Sequence, residues 1–288
     1  MLTFFSTPKP FSGEFAAIQM NAIRSWARIP GSEVILFGNQ AGTREAAKEL
    51  GAVHIPNIRT NTHGTPLLNE MFLRAQQMAG RDILCYANCD IVFTSDLVPA
   101  VSAFQDWGRS GVMLGRRTDV DMHGRIDFSQ SSWEEDLLQL VRTSGRQRPV
   151  EWIDYFIFQR GTMGPLLPFA VGRPGWDNWL IWRVRSSGNP VVDATSSVVA
   201  VHQNHTYLHH PGGHAGVWEG PEATENRELL GDPSRIYTIE DANYQLDGQV
   251  IRRNLSTGYF KRRKAMLRLE VLEKTRPVRH RLGIRKRR

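Results

Sequence analysis

Short apolar runs alternate with amphipathic stretches along the first half of the chain. The runs are typical of buried strands, and they lie at Leu2–Ser6, Glu33–Phe37, Val53–Ile55, 82–93 and Val112–Leu114. Between them, apolar residues at helical spacing predict helices at 15–26, Thr43–Leu50, 66–78 and 96–107. Thr65 should cap the third helix, with Pro66 as its first residue. Strands that alternate with helices predict a Rossmann-like α/β fold, in which a mostly parallel sheet is flanked by helices.

The second half of the chain is less regular. Further strands are predicted at 151–158, 190–193 and 198–202, and a Gly-Pro turn leads into a helix that begins close to Asp177. A stretch rich in glycine, proline and histidine at 209–220 predicts a lid loop, with a histidine-rich metal tract as the alternative. These features divide the chain into a main α/β domain at 1–205, the lid loop with a C-terminal elaboration at 206–250, and a basic amphipathic tail at 251–288.

Positive charge is concentrated at the C-terminal end. The 288-residue chain has a formal net charge of +7, yet residues 261–288 hold 13 Lys or Arg against two Glu, a net of +11 that leaves −4 for residues 1–260. Because a nucleic-acid-binding protein should carry basic residues across its fold, this distribution disfavours a nucleic-acid partner. Apolar residues between Met266 and Leu272 lie among the basic ones, which predicts an amphipathic helix on an anionic membrane surface. A solvated terminus is the alternative.

The composition is that of a soluble globular protein, with 41% hydrophobic and 23% charged residues. No run approaches the roughly 18 consecutive apolar residues that span a bilayer, and no basic segment precedes a long apolar one at the start. The two cysteines, Cys85 and Cys89, suit reduced thiols better than a disulfide framework or a zinc site. A cytoplasmic location is therefore expected, with the tail as a peripheral contact to the inner membrane face.

Two polar residues, Asn88 and Asp90, come at the end of the strand predicted at 82–93. Ligands of open α/β sheets bind outside the carboxyl ends of the strands, so Asp90 is expected to meet a hard cation or a phosphate-bearing substrate. A turn or a helix cap is the alternative role for this pair. The first loop lacks G-x-G-x-x-G and the chain has no Walker A sequence, which disfavours NAD-type and P-loop chemistry.

The order of the motifs resembles the GT-A class of nucleotide-sugar glycosyltransferases. The resemblance covers roughly residues 1–205 and consists of the strand–helix series, the polar strand end, Gly-Trp-Asp-Asn around Asp177, and a strand that ends at His202. It implies a catalytic domain that moves a sugar from a nucleoside diphosphate sugar, with UDP-sugars favoured, to a hydroxyl acceptor. A glycan or a lipid-linked acceptor is expected.

The resemblance also implies a metal site. The family holds Mn²⁺ or Mg²⁺ on the donor diphosphate through Asp-x-Asp, and Asn88-Cys89-Asp90 stands in that place. Asp90 would be the anchor, and His202, with His205 as second choice, would complete the metal shell. Imidazole ligands favour Mn²⁺ over Mg²⁺, whereas the uncharged amide of Asn88 should weaken metal binding. The alternative is that both histidines are hydrogen-bonded loop residues.

Asp177 is the predicted general base. An inverting transferase needs a carboxylate that takes the proton from the acceptor hydroxyl, and Gly-Trp-Asp-Asn resembles the motif that supplies it in inverting GT-A enzymes. The alternative is that Asp177 only caps a helix. Asp154 is the rival base or a ligand of the acceptor hydroxyl.

By the same resemblance, the donor nucleotide should lie over the first strand ends and the loop before the fourth strand. The predicted nucleotide-sugar contacts are Phe5, Ser6, Thr7, Asn39, Arg59, Asn69, Asn88 and Asp90. Platforms for sugar rings are expected among five tryptophans, with core packing as the expected role of at least half of them: Trp152, Trp176, Trp179, Trp182 and Trp218.

Two other functions stay open at this point. A noncatalytic glycan- or membrane-binding scaffold of the same fold is one, because Asn88 replaces the first acid of the metal motif. A sugar-phosphate nucleotidyltransferase is the other, but Thr7-Pro8-Lys9-Pro10 lacks the Gly-rich, Arg-containing loop that such enzymes carry after the first strand.

Overall fold

The structure is a computed structural model that describes residues 1–206 and 212–281. Its strands are β1 (Leu2–Ser6), β2 (Glu33–Phe37), β3 (Val53–Ile55), β4 (Ile83–Ala87), β5 (Ile91–Val92), β6 (Val112–Leu114), β7 (Arg117–Val120), β8 (Arg146–Gln147), β9 (Tyr155–Gln159), β10 (Val191–Asp193), β11 (Ala200–Gln203), β12 (Tyr244–Asp247) and β13 (Val250–Arg253). Its helices are α1 (Glu14–Arg28), α2 (Thr43–Leu50), α3 (Leu68–Met78), α4 (Leu97–Asp106), α5 (Trp133–Ser144), α6 (Trp176–Ser186), α7 (Gly213–Glu219), α8 (Pro221–Leu230) and α9 (Thr257–Arg281), with 3₁₀ helices at Pro233–Arg235 and Ile239–Asp241.

Nine strands form the main sheet, in the order β13-β12-β10-β6-β9-β4-β1-β2-β3. β2 runs parallel to β3 and to β1, β1 runs parallel to β4, and β10 runs parallel to β6 and β12. β9 runs antiparallel to β4 and β6. Helices cover both faces. The predicted α/β class, with a mostly parallel sheet flanked by helices, is confirmed.

Apolar side chains on both faces of the sheet explain the continuous apolar runs. On β1, Phe4 packs with Trp26 of α1 at 5.3 Å between ring centroids, and Phe5 packs on the other face with Phe72 of α3 at 4.9 Å. Successive residues of a strand point to opposite faces, so a strand buried on both sides has no polar alternation. The core therefore has two layers, one on each side of the sheet.

A second sheet of four strands, β5-β11-β7-β8, lies beyond the carboxyl end of β4. β11 pairs antiparallel with β5 and parallel with β7. The chain thus leaves the main sheet after Ala87, crosses Asn88–Asp90 and enters the small sheet at Ile91. This crossing places Asp90 beside the end of β11.

Several predicted bounds were wrong. The run at 82–93 is two strands in two sheets, because polar residues interrupt it at Asn88–Asp90. The third helix begins at Leu68, not at Pro66, since Pro66 and Leu67 form isolated bridges with Thr60 and Ala170. The strand predicted from residue 151 begins at Tyr155.

The C-terminal segments also differ from the prediction. Of the lid loop predicted at 209–220, residues 209–211 lie outside the described residues, and α7 occupies most of the remainder. β12 pairs with β10 inside the main sheet, so the chain folds back into that sheet well after the predicted boundary at residue 205. The tail forms α9, whose Met266 is buried in the core.

The apolar side chains that the structure describes on α9 do not share one face of the helix. Exposed apolar side chains, among them Phe260, Leu269, Val271 and Leu272, lie on more than one side of the helix. Contact with an anionic membrane surface stays a prediction. None of the helices within the described ranges combines the length and the apolar character needed to cross a membrane.

Candidate active site

One cleft of about 590 Å³ opens at the carboxyl ends of the central strands. Its walls come from the loop after β1, the crossing at Asn88–Asp90, the loop before α6 with the first turn of that helix, and the end of β11. Asp90 and Asp177 both line it. The two carboxylates that the sequence singled out therefore belong to the same cavity.

Asp90, His202 and His205 form a cluster at one wall of the cleft. Their potential ligand atoms all lie within 4.8 Å of one another, and they are the one such group of three among residues 1–206 and 212–281. Nε2 of His205 is 3.3 Å from Oδ2 of Asp90, and Nε2 of His202 is 3.8 Å from the same oxygen. The register of β11 against β5, which pairs His202 with Ile91, brings these groups together.

The other nitrogen of each ring faces an acceptor. Nδ1 of His205 is 2.9 Å from the carbonyl oxygen of Thr206, and Nδ1 of His202 is 3.2 Å from a carboxylate oxygen of Asp119. A carbonyl can only accept a hydrogen bond, so Nδ1 of His205 carries a proton. Both rings thus direct Nε2 toward Asp90, which is the arrangement in which imidazoles bind a metal.

The chemistry of this cluster fits a divalent cation. Oδ1 of Asp90 is buried and has no hydrogen-bond partner among the described residues. Burial by itself would raise the pKa of Asp90, but His202, His205 and Lys9 hold it well below its ordinary value, so the carboxylate is ionised. One carboxylate and two imidazoles are ligands that Mn²⁺ accepts, and that Zn²⁺ and Fe²⁺ accept as well.

Asp177 lines the same cleft from the first turn of α6. Burial, with a smaller contribution from the charge of Asp154, raises its pKa to about 7, although backbone N–H groups of the turn favour the ionised form. Its Oδ1 is buried and has no hydrogen-bond partner among the described residues. The N-cap residue of α6 is Gly175, two residues before Asp177. A carboxyl with a pKa near neutrality is suited to exchange protons.

Asp154 lines the cleft but is engaged on both oxygens. Oδ2 is 2.9 Å from NH1 of Arg117, and Oδ1 accepts a hydrogen bond of 2.5 Å from Nδ2 of Asn88. The amide of Asn88 in turn accepts a hydrogen bond of 2.7 Å from the hydroxyl of Tyr86. Asp154 is therefore a poor candidate for the predicted role of base, and Asn88 is held as a neutral link between Tyr86 and Asp154.

The predicted nucleotide contacts divide into two groups. Thr7, like Asn88 and Asp90, lines the cleft. Phe5, Ser6, Asn39, Arg59 and Asn69 are absent from its lining among the described residues. The prediction for the Phe5 side chain was wrong, because it is fully buried in the core, and Ser6 is buried with its hydroxyl donating to the carbonyl of Ala87 at 2.6 Å. Asn39 and Arg59 are exposed outside the cleft.

Three cations of the cleft were not indicated by the sequence pattern: Lys9, Arg173, and Arg117, which pairs with Asp154. Lys9, in the loop after β1, lines the cleft, and burial lowers its pKa despite the nearby charge of Asp90. Arg173 lines it as well, before α6. The signal for Lys9 was its position directly after a strand at the sheet edge that binds ligands; Arg173 offered none beyond its place in a glycine-rich turn.

Helix α8 holds the loop that carries Arg173. Glu222 pairs with Arg173, Nε to Oε2 at 2.9 Å, and accepts a hydrogen bond of 2.7 Å from Asn61. The amide of Asn226 both accepts from the backbone N–H of Ala170 at 2.8 Å and donates to its carbonyl at 3.0 Å. The loop before α6 is thereby joined to α8 by buried polar contacts.

Aromatic side chains form part of the wall of the cleft. Trp152 and Trp218 line it with ring centroids 6.1 Å apart. Arg117 and Arg148 stack on Trp152, with guanidinium carbons 4.7 and 4.3 Å from the ring centroid. Trp179, by contrast, is buried against Phe169 in the core.

Neither a protein-family model nor a curated protein matches the sequence. Solved structures of glycosyltransferases show a distant similarity of fold. S. aureus TarS 1–349 matches with a TM-score of 0.42 and 10% identity, over 71% of this chain and 58% of that chain. Glucosyl-3-phosphoglycerate synthase from Mycobacterium tuberculosis, in complex with Mg²⁺ and UDP, matches with a TM-score of 0.47 and 15% identity, over 82% and 79% of the two chains.

A third match is the mannosyltransferase PcManGT from Pyrobaculum calidifontis in complex with GDP-Man and Mn²⁺, with a TM-score of 0.41 and 14% identity over 70% of this chain and 56% of that chain. This chain thus spans less than two thirds of TarS 1–349 and of PcManGT. These matches are distant and concern the fold alone.

Proposed function

We propose that the protein transfers a sugar from a nucleoside diphosphate sugar to a hydroxyl acceptor, with a divalent metal ion and with inversion at the anomeric carbon. One observation supports this most: a single cleft contains a metal-ligating cluster around Asp90 and, apart from it, the carboxyl of Asp177 with a pKa of about 7. Departure of a diphosphate needs a cation, and attack by a hydroxyl needs a base.

Asp90, His202 and His205 would hold the ion. When bound, the ion would supply positive charge to the diphosphate as the sugar leaves. Two imidazole ligands favour Mn²⁺ over Mg²⁺. Lys9 and Arg173, which line the same cleft, would add charge-assisted contacts to the phosphate oxygens.

Asp177 would act as the base. The acceptor oxygen forms a bond to the anomeric carbon, the bond from that carbon to the diphosphate oxygen breaks and its electron pair leaves with the diphosphate, and the hydroxyl proton passes to Asp177. Its pKa near 7 lets the carboxylate accept this proton and later release it to water. Both oxygens of Asp154 are already engaged, so Asp154 would support the role of Asp177 only through its negative charge.

The acceptor would enter along the aromatic wall of the cleft. Trp152 and Trp218 offer ring faces that suit a sugar, and a glycan or a lipid-linked sugar is the acceptor class we propose. A noncatalytic scaffold of the same fold is the competing function, and a donor turnover assay separates the two.

The test combines binding with turnover. UDP-, GDP- and dTDP-sugars are screened by thermal shift with and without Mn²⁺, because a ligand of the folded state stabilises it by about 2.7 kcal/mol at 100 times its Kd. Nucleoside diphosphate release is then measured for the wild type, Asp90→Ala, Asp177→Asn and, as a control on an exposed acid outside the cleft, Asp127→Asn.

Asp90→Ala should lose the metal-dependent stabilisation and the turnover, whereas Asp177→Asn should keep the first and lose the second. Asp127→Asn should behave as the wild type. Absence of nucleoside diphosphate release from every donor in the presence of Mn²⁺, with Asp90→Ala indistinguishable from the wild type, would replace the proposal by the scaffold. Retention of the anomeric configuration in the product would remove the role of Asp177.

A further inference from the structure

We propose that Asp119 is a positioning residue of the metal site, which holds the imidazole of His202 so that Nε2 is presented to the ion. This inference rests on the proposed function, because it concerns how the same ion is held. Asp119 is not among the described residues that line the cleft, and it lies in a polar segment without a recognisable motif.

The backbone places Asp119 and His202 side by side. They are direct partners in the parallel pair of β7 with β11, and on the other side of β11 His202 is the partner of Ile91, the residue after Asp90. The ring therefore lies between two carboxylates. Nε2 is 3.8 Å from Asp90, and Nδ1 is 3.2 Å from Asp119.

This environment selects the tautomer of His202. A lone pair on Nδ1 would face the negative charge of Asp119 at 3.2 Å, which is repulsive, whereas a proton on Nδ1 is attracted to it. Neither Nδ1 of His202 nor Oδ1 of Asp119 has an aligned hydrogen-bond partner among the described residues, so the selection acts through charge and proximity. The proton on Nδ1 leaves the Nε2 lone pair for the ion.

Asp119 is itself fixed by two arginines. Its Oδ1 is 2.9 Å from Nε of Arg117 and its Oδ2 is 3.3 Å from Nε of Arg148, while its side chain is only 10% exposed. Arg117 continues to Asp154, which accepts from Asn88. A continuous chain of polar groups thus connects Asp119, beside His202, to Asn88, two residues before Asp90.

His205 shows the same arrangement with a different acceptor. Its Nδ1 is 2.9 Å from the carbonyl oxygen of Thr206. Acceptors of this kind behind metal-bound imidazoles fix the ring and raise its basicity, and their loss typically weakens metal binding 10- to 100-fold, as an order of magnitude. The carboxylate behind His202 should have the larger effect of the two, because it is charged.

The test measures Mn²⁺ binding without any sugar donor. Titration followed by the electron paramagnetic resonance of free Mn²⁺ gives the affinity, and the electron spin-echo modulation of bound Mn²⁺ reports its imidazole nitrogens. The variants are Asp119→Asn, His202→Gln to assign the nitrogen signal, and Asp121→Asn as a matched control. Asp121 lies just beyond β7, is exposed, and accepts a hydrogen bond of 2.7 Å from Asn204.

Asp119→Asn should bind Mn²⁺ at least about tenfold more weakly and lose the nitrogen signal assigned to His202, with Asp121→Asn unchanged. A folded Asp119→Asn protein that keeps that signal and binds within about threefold of the wild type would overturn the inference and leave the proposed function standing. Asp119→Ser is used in place of Asp119→Asn if thermal unfolding shows that the asparagine variant does not fold. Absence of Mn²⁺ binding by the wild type would refute the proposed metal site itself.

Discussion

Asp177→Asn should stabilise the protein above neutral pH while it abolishes transfer. The pKa of Asp177 is about 7 in the folded state against an ordinary 3.8. At about 1.4 kcal/mol for each pKa unit, keeping Asp177 protonated in the folded state contributes roughly 4 kcal/mol to the unfolding free energy of the wild type. Because folding raises this pKa, the contribution is fully present below about pH 4, falls as the pH rises, and is lost above about pH 7.

Asparagine has the same shape, and its oxygen can accept from the same backbone N–H groups, but it does not titrate. The unfolding free energy of Asp177→Asn, minus that of the wild type, should therefore rise by about 3 kcal/mol between about pH 5 and pH 8. Urea unfolding followed by tryptophan fluorescence measures it at each pH. Asp127→Asn is the control: hydrogen bonds from Ser129 and Gln130 hold the pKa of that exposed carboxylate below its ordinary value, so it stays ionised and its difference from the wild type should stay constant over this range. A flat difference for Asp177→Asn would refute the reasoning.

Four further outcomes are expected. The kcat/KM of transfer should rise with pH through a midpoint of about 7, the pKa of Asp177, and a profile flat from about pH 5 to 8 would contradict its role as base. Lys9→Met should weaken binding of the nucleoside diphosphate at least about tenfold in isothermal titration, because a charge-assisted contact is lost; unchanged affinity would place the phosphates elsewhere. Phe5→Ala should cost about 3–5 kcal/mol of unfolding free energy, and donor affinity measured on the folded protein should not change, since the ring lies in the core. The full chain should co-sediment with anionic and not with neutral phospholipid vesicles if the basic tail contacts a membrane, and equal binding to both would speak against charge as the cause.

The parts of the fold that could be predicted are those with a strong pattern. β1, β2, β3 and α2 have the predicted bounds, because strands buried on both faces read as continuous apolar runs and α2 repeats its apolar residues at helical spacing. β7 was missed. Its sequence, Arg117-Thr-Asp-Val, is polar, and it becomes a strand only through pairing with β11 and β8.

The same limit applies to the site. Asp90 and His202 could be found because each follows apolar residues at a strand end, and Asp177 because it opens a helix after a glycine turn. Phe5 was misplaced because the sequence of a strand buried on both faces does not show which side chain at its carboxyl end reaches the cleft and which packs in the core. Asp119 and Lys9 could not be found from the sequence, because the residues that they face, His202 and Asp90, lie more than 80 residues away in the chain. Local spacing does not indicate such proximity.

The buried contacts of α8 limit how the cleft can open. Because Glu222 and Asn226 join this helix to the segment that leads into α6, displacing α8 would deprive charged and amide groups of their partners and would move the segment that carries Asp177. Trp218 is carried by α7, a helix of two turns, and its backbone carbonyl accepts a hydrogen bond from Arg227 of α8. The aromatic wall of the cleft and the segment that leads to Asp177 are therefore both attached to one helix, so a change in the position of α8 would be transmitted to both sides of the cleft.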